Sequence, residues 1–423
     1  MFRAVRRLMQ TLQRRLFRCF GTLFASVLLT GWFWSDFCLW RADANLVLRK
    51  NKAAEGWVER SRWGRNPAAP TCLLRLRLAR RAGDYREVER LLHQARHCGV
   101  PDGEIRREQW LAMAQTQQFD QVSSHWQELL ADPRDDEPEI ARAFVVWASS
   151  RHLIDEASRV LALWEQDYPD DPEPSALQGQ MAQAMNHWEG AVEGYRRALA
   201  LAPGNDSYRL ALAVALQNRM QLEEAAELFR ECLQRVPDNS TALRGLADTY
   251  ASQGELEKAL TVLQDAINRF PDDLGLHQTL GEVYLAQGAD AAAVSHLERA
   301  YAAHPENADL AYSLARALKA VKRDSEAAPL FDFVAESREP LNSLKGLQER
   351  LIKHPDDIEL LFRIADISAK YKSRREAIRW LEKLLLTAPN DRAAHEALGE
   401  LYRLTGDPEN ATRHRQIAGG LPK

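Results

Sequence analysis

Adjacent carboxylates are the first candidates for chemistry in this chain. Asp170-Asp171, Asp272-Asp273 and Asp356-Asp357 each set two acids side by side, the residue type that acid/base work or a divalent cation requires. All three pairs, however, stand directly behind a proline and ahead of an apolar helical pattern. Asn205, Asn239, Asn307 and Asp391 hold the equivalent place elsewhere. A short acceptor side chain there takes hydrogen bonds from the first free amides of the next helix, so capping is the expected role.

His93 and His97 lie four apart on one helical stretch with Cys98 beside them. They have the right types for a metal, but no clustered third and fourth ligand accompanies them, and solvated surface histidines are expected. The five cysteines contain no CxxC pair, so neither a zinc ribbon nor a disulfide framework is expected, and Cys232 reads as a small buried side chain. No phosphate-binding glycine loop, nucleophile elbow, HExxH string or haem-attachment string occurs. The expectation is therefore no catalytic residue, no metal and no cofactor: a protein that is not an enzyme.

The elements that carry these residues follow a strict period. Pro169, Pro203, Pro237, Pro271 and Pro305 are each 34 residues apart, and Pro355 and Pro389 repeat the interval after a longer gap. With the proline counted as repeat position 32, position 20 reads Ala157, Ala191, Ala225, Ala259, Ala293, Ala327, Ala377 and Ala411. Position 8 is small (Gly179, Ala213, Ala247, Gly281, Ala315, Ala365, Gly399), and position 24 is large (Leu161, Tyr195, Phe229, Leu263, Leu297, Phe331, Leu381). Small residues allow two helices to approach, and large ones fill the space beside them.

This combination resembles the tetratricopeptide-repeat (TPR) family over residues 138–341 and 358–418. The resemblance implies an all-α superhelical solenoid of about ten helix-turn-helix repeats. Residues 69–136 hold weaker repeats in which Val88 and Val122 replace the marker alanine, and residues 342–357 read as an extra helix with Leu344, Leu347, Leu351 and Ile352 on one side. Arg415 at position 24 suits a polar terminal cap, and residues 419–423 form a tail.

The amino terminus is different in kind. Residues 1–18 carry six arginines and no acid, and an apolar run follows from Cys19 to Trp34. Extended through Trp40, residues 19–40 reach the length of a single transmembrane or signal-anchor helix, with Trp32, Trp34 and Trp40 as interfacial aromatics. Ala42-Asp43-Ala44 keeps cleavage as a signal peptide open, although bulky residues precede it. The leader's charge places the amino terminus in the cytoplasm and the body on the other side, while a cytoplasmic body stays open because Arg41, Arg49, Lys50, Lys52 and Arg60 nearly balance the count. Residues 41–68 form a basic juxtamembrane helical segment, suited either to lipid head groups or to an atypical first helix that caps the solenoid. The body from residue 101 onward is seventeen negative, which argues against nucleic acid as a partner.

The TPR resemblance further implies that a protein or peptide partner binds a concave groove lined by repeat positions 2, 5, 9, 12 and 13. These positions include Gln180, Gln183, Gln217, Asn218, Arg244, Asp248, Gln278, Glu282, Tyr312, Arg316 and Lys319. Leu210 and Val214, followed by Arg244 and Asp248, do not supply the lysine and asparagine of a carboxylate clamp. The expected function is a membrane-tethered interaction scaffold in cell-envelope assembly or regulation. The alternative is an accessory subunit of a membrane enzyme complex, or an enzyme with an unrecognised site.

Overall fold

The computed structural model describes residues 31–47, 50–61, 68–150 and 153–420, and every regular element in them is helical. The chain divides into two compact units, residues 1–144 and 145–423. The basic leader and residues 19–30 of the expected anchor lie outside the described residues.

The first unit opens with α1 (Gly31–Val47), α2 (Asn51–Arg60), α3 (Ala68–Ala82), α4 (Tyr85–His97) and α5 (Asp102–Gln115). The placement of residues up to Trp40 in a membrane span is corrected here. Ser35, Cys38, Leu39, Ala42 and Leu46 form one buried helical stripe, and Leu39, Ala42 and Leu46 pack on Ala54 and Val58 of α2 and Leu74 of α3. A helix that uses its apolar face for protein packing cannot offer that face to lipid. Trp34 donates its indole N–H to the Arg60 carbonyl at 3.3 Å, while Trp40 is exposed. No helix among the described residues is long and apolar enough to cross a membrane. Residues 51–60 form a hairpin with α1, with the Arg41 and Arg60 guanidiniums 5.4 and 4.7 Å from the Trp57 ring centre.

Three arginines of α3 turn inward. Arg80 is fully buried between Glu108 (2.8 Å) and Asp136 (2.6 Å), while Arg81 holds Asp135 and Asp136, and Arg77 reaches Glu104 and Glu108. Burial opposes the charge on Arg80, but Glu108 and Asp136 outweigh it and raise its pKa. Burial likewise pushes the Asp136 carboxyl up, and Arg80 and Arg81 more than reverse this and hold it below its ordinary range. Cys72 on α3 is bonded to Cys98 just beyond α4, with 6.7 Å between their Cα atoms. One disulfide therefore stands where sequence spacing had suggested none, because the two positions meet only when α3 and α4 fold into a hairpin. His93 and His97 are exposed on α4.

Beyond α5 the second helix of the hairpin is broken into α6 (Phe119–Val122), a 3₁₀ turn and α7 (Trp126–Ala131). Val88 and Val122 are buried, so they occupy the core as the marker alanines do. The boundary between the units falls inside α8 (Glu137–Ser150).

The second unit continues with α9 (Ile154–Asp167), α10 (Glu173–Ala184), α11 (Trp188–Leu201), α12 (Asp206–Asn218), α13 (Leu222–Arg235), α14 (Ser240–Ser252), α15 (Leu256–Arg269), α16 (Leu274–Gln287) and α17 (Asp290–Ala303). The second carboxylate of each pair, and Asp391, accept amides at the start of the following helix. Asp273 accepts from the Gly275 and Leu276 amides, Asp357 from Leu360, Asp391 from Ala394 and Asp171 from Glu173.

Position 20 is fully buried in Ala157, Ala191, Ala225, Ala259, Ala293 and Ala377. The small residue at position 8 meets the large one at position 24 of its own hairpin: a Cβ on Gly179 would lie 2.9 Å from Tyr195, and one on Gly281 2.6 Å from Leu297. Position 15 turns the chain between paired helices with positive φ in Gly83, Gln117, Asn186, Met220, Gly254, Gly288, Lys322 and Gly406. The turn thus keeps its left-handed residue at four positions where no glycine marks it, although Lys372 at the same position does not adopt it.

After α18 (Ala308–Ala320), α19 (Asp324–Lys353) runs unbroken for 30 residues. The expected separate helix at 342–357 is instead the continuation of this element. Pro329 and Pro340 lie inside it. Leu344, Leu347 and Leu351 carry the apolar stripe onward and pack against Leu360, Leu361 and Ile364 of α20 (Ile358–Tyr371), which compensates for the lost backbone hydrogen bonds. The chain closes with α21 (Arg374–Thr387), α22 (Arg392–Leu404) and α23 (Pro408–Gly420). Arg415 lies against Gly399 and pairs with Glu400 at 3.1 Å.

Candidate functional site

The groove positions are carried by the first helix of each hairpin, whose opposite face is fixed by the buried position 8. Gln180 is exposed on α10, and Gln183 on the same helix accepts from the Tyr195 hydroxyl at 2.8 Å. On α12, Gln217 donates to the Gly245 carbonyl at 3.4 Å and Asn218 to Val214 at 2.8 Å. On α18, the Arg316 guanidinium stands 5.7 Å from the Tyr312 ring centre, and Lys319 is 5.9 Å from the Phe331 ring. Tyr312 is 46% exposed, a large apolar surface for a groove to leave open.

Four predicted residues converge. Arg244 and Asp248 on α14, with Gln278 and Glu282 on α16, line an open cavity of about 660 Å³. Sequence positions alone did not single out Ser252, Leu256, Gly275, Thr279 and Val283, which complete its wall. Gly275 and Ser252 occupy groove positions 2 and 13, so the repeat frame contained a signal for them. Thr279, one step off the groove positions, had none. Gly275 matters because a Cβ there would collide with the Arg244 guanidinium.

The cavity is electrostatically tense. Burial pushes the Asp248 carboxyl up to about 6, against the Thr279 hydrogen bond and the Arg244 charge, and Glu282 adds to the rise. Glu282 keeps contact with solvent yet lies within the concavity, and the surrounding protein raises its pKa against the 3.0 Å hydrogen bond from Gln278, with Asp309 of α18 adding to the rise. Two carboxylates that resist ionisation thus share one wall with one guanidinium. Among the described residues, no group of three or more His, Cys, Asp or Glu side chains is placed to hold a metal ion.

Helical hairpins stacked in sequence order with a polar inner wall define an α-solenoid of the superhelical repeat class. Part of it matches tetratricopeptide repeats: two family models described by that term match residues 219–283, and residues 177–240 and 279–337. No curated protein matches the chain. Among solved structures, the human IFIT1 dimer with PPP-AAAA is 18% identical, with 83% of this chain and 90% of that one covered at a TM-score of 0.38. A thermophilic TPR protein of Thermus thermophilus is 23% identical, with 46% and 98% covered at a TM-score of 0.33. MamA 41-end of Desulfovibrio magneticus RS-1 is 16% identical, with 51% and 93% covered at a TM-score of 0.27.

Proposed function

We propose that this chain is a non-catalytic scaffold that seats a partner protein or peptide in the concave groove from Gln180 to Lys319, tethered to a membrane by its amino-terminal segment. The observation that carries the reading is the cavity between α14 and α16, where residues from successive repeats converge and leave charged groups turned toward open space. Stacked repeats of this kind bind extended segments by side chains spaced along the groove.

The tether is confined to residues ahead of the packed stripe that begins at Ser35. Its support is the arginine-rich leader followed by apolar residues, a pattern that inserts into membranes. A body on the non-cytoplasmic side, in a cell envelope, is supported by the Cys72–Cys98 disulfide, since such bonds persist in oxidising compartments. A compartment-sensitive reporter fused after Lys423 tests this side, and activity only of a cytoplasmic reporter would overturn it.

Cross-linking in native membranes, comparing wild type with a variant carrying Arg244→Ala, Tyr312→Ala and Arg316→Ala, tests the groove. The expected result is loss of the cross-linked partner from the variant. Equal recovery from both would place binding elsewhere.

A further inference from the structure

The cavity between α14 and α16 has an uneven lining that specifies what enters it. It is lined by the apolar Leu256, Val283, Ala251 and Ala286 and by the polar Asp248, Glu282, Gln278 and Thr279. Arg244 stands at one side over Gly275, and Asp309 of α18 adds a third negative charge within range of Glu282. We propose that this cavity receives a lysine or arginine side chain of the partner segment, with the methylene stem against the apolar lining and the cationic head between Asp248 and Glu282. The proposal rests on the groove reading above and names the chemistry of its occupant.

Three arguments support it. First, a basic side chain is amphipathic along its length, an apolar stem ending in a strongly hydrated head, and the lining offers both apolar side chains and carboxylates. Second, the charges lining the cavity are one guanidinium, from Arg244, against the carboxylates of Asp248 and Glu282, with Asp309 near enough to Glu282 to act on it. An anionic occupant would add to that excess, whereas a cation reduces it. Third, burial raises both carboxyls, and the one guanidinium present, Arg244, only partly offsets this at Asp248. An entering ammonium or guanidinium supplies the missing charge and favours the ionised form. Binding should therefore release a proton near the point where Asp248 titrates.

Randomised peptides of about twelve residues, displayed on phage and selected against the full chain, provide the probe, with a synthetic copy of the best binder measured by fluorescence anisotropy. The expected result is that selected peptides share a lysine or arginine. Replacing it by norleucine, or changing Asp248→Asn with Glu282→Gln in the protein, should weaken binding by about tenfold or more. Affinity of the wild type for the peptide should also rise as the pH rises through about 6, and the double variant should lose this dependence. Circular dichroism of the variant separates a lost contact from a lost fold, and the pH dependence of the wild type needs no variant. Selected peptides that bind through the groove but lack a shared basic residue, or whose affinity is untouched by these changes, would overturn the proposal and leave the groove reading standing. If no peptide is selected, the groove reading fails with it.

Discussion

His277 and His296 meet Nδ1 to Nδ1 at 2.8 Å across the hairpin of α16 and α17. The same geometry recurs between His395 and His414 in the last hairpin, also at 2.8 Å. In each case the inner histidine has its Nε2 3.0 Å from a proline carbonyl, Pro271 or Pro389. A carbonyl only accepts, so Nε2 carries the proton and the facing Nδ1 accepts one from its partner ring.

This arrangement predicts acid sensitivity. Burial first, then the facing histidine and Arg299, hold His296 below its ordinary value of 6.5, and His414 is lowered likewise by burial, His395 and Arg413. Because the folded-state values are depressed, the stability contribution is full above 6.5 and is lost as the pH falls through the folded values. Asp248 acts oppositely: its raised value gives a contribution that is full below 3.8 and lost as pH rises through about 6. Thermal unfolding of Asp248→Asn should therefore show a steeper drop on acidification than wild type, and adding His296→Gln and His414→Gln should flatten it. An unchanged slope in the latter variant would remove the pairs as its source.

Reduction should loosen the first unit selectively. The Cys72–Cys98 bond has a sequence separation of 26, and closing a loop of that size restricts the unfolded chain by about 3.5 kcal/mol in the entropy model. Hydrogen exchange with and without reductant should show lost protection in α3 and α4 and none in α14 to α18. Equal exchange in both states would mean that the bond contributes nothing to stability.

The buried ion network should fail when one partner is neutralised. Asp136→Asn leaves the fully buried Arg80 with Glu108 alone and deprives Arg81 of one carboxylate. Removing one member of such a pair costs about 3–5 kcal/mol. Urea unfolding followed by tryptophan fluorescence measures it, and a loss comparable to that at an exposed pair such as Arg90 with Glu87 would contradict the network's role.

Backbone contact and backbone conformation predict opposite signs at two positions. A Cβ on Gly194 would lie 2.5 Å from the Gly179 nitrogen and 2.8 Å from the Ser175 carbonyl oxygen, backbone atoms that cannot rotate aside. Gly194→Ala should cost about 1–3 kcal/mol. Met220 holds φ 62 in an inter-helix turn and is 68% exposed, so Met220→Gly relieves strain without emptying a core site. It should gain about 1 kcal/mol. Denaturation midpoints that move in the same direction would refute one of the two assignments.

The amino-acid sequence by itself determined the repeat: the 34-residue interval, the alanine at position 20, the capping acids and the helix face that carries Arg244, Asp248, Gln278 and Glu282. Such features are local or periodic, so each repeat states them again. Tertiary structure alone decided that Arg80 joins Glu108 and Asp136, that Cys72 meets Cys98, that α1 packs on α2 and α3, that α19 runs through Pro340, and that the four groove residues close on one cavity. The physical reason is distance along the chain. A contact spanning 26 to 56 residues leaves no periodic mark in composition, and whether an apolar stripe covers protein or lipid depends on what the fold brings opposite it.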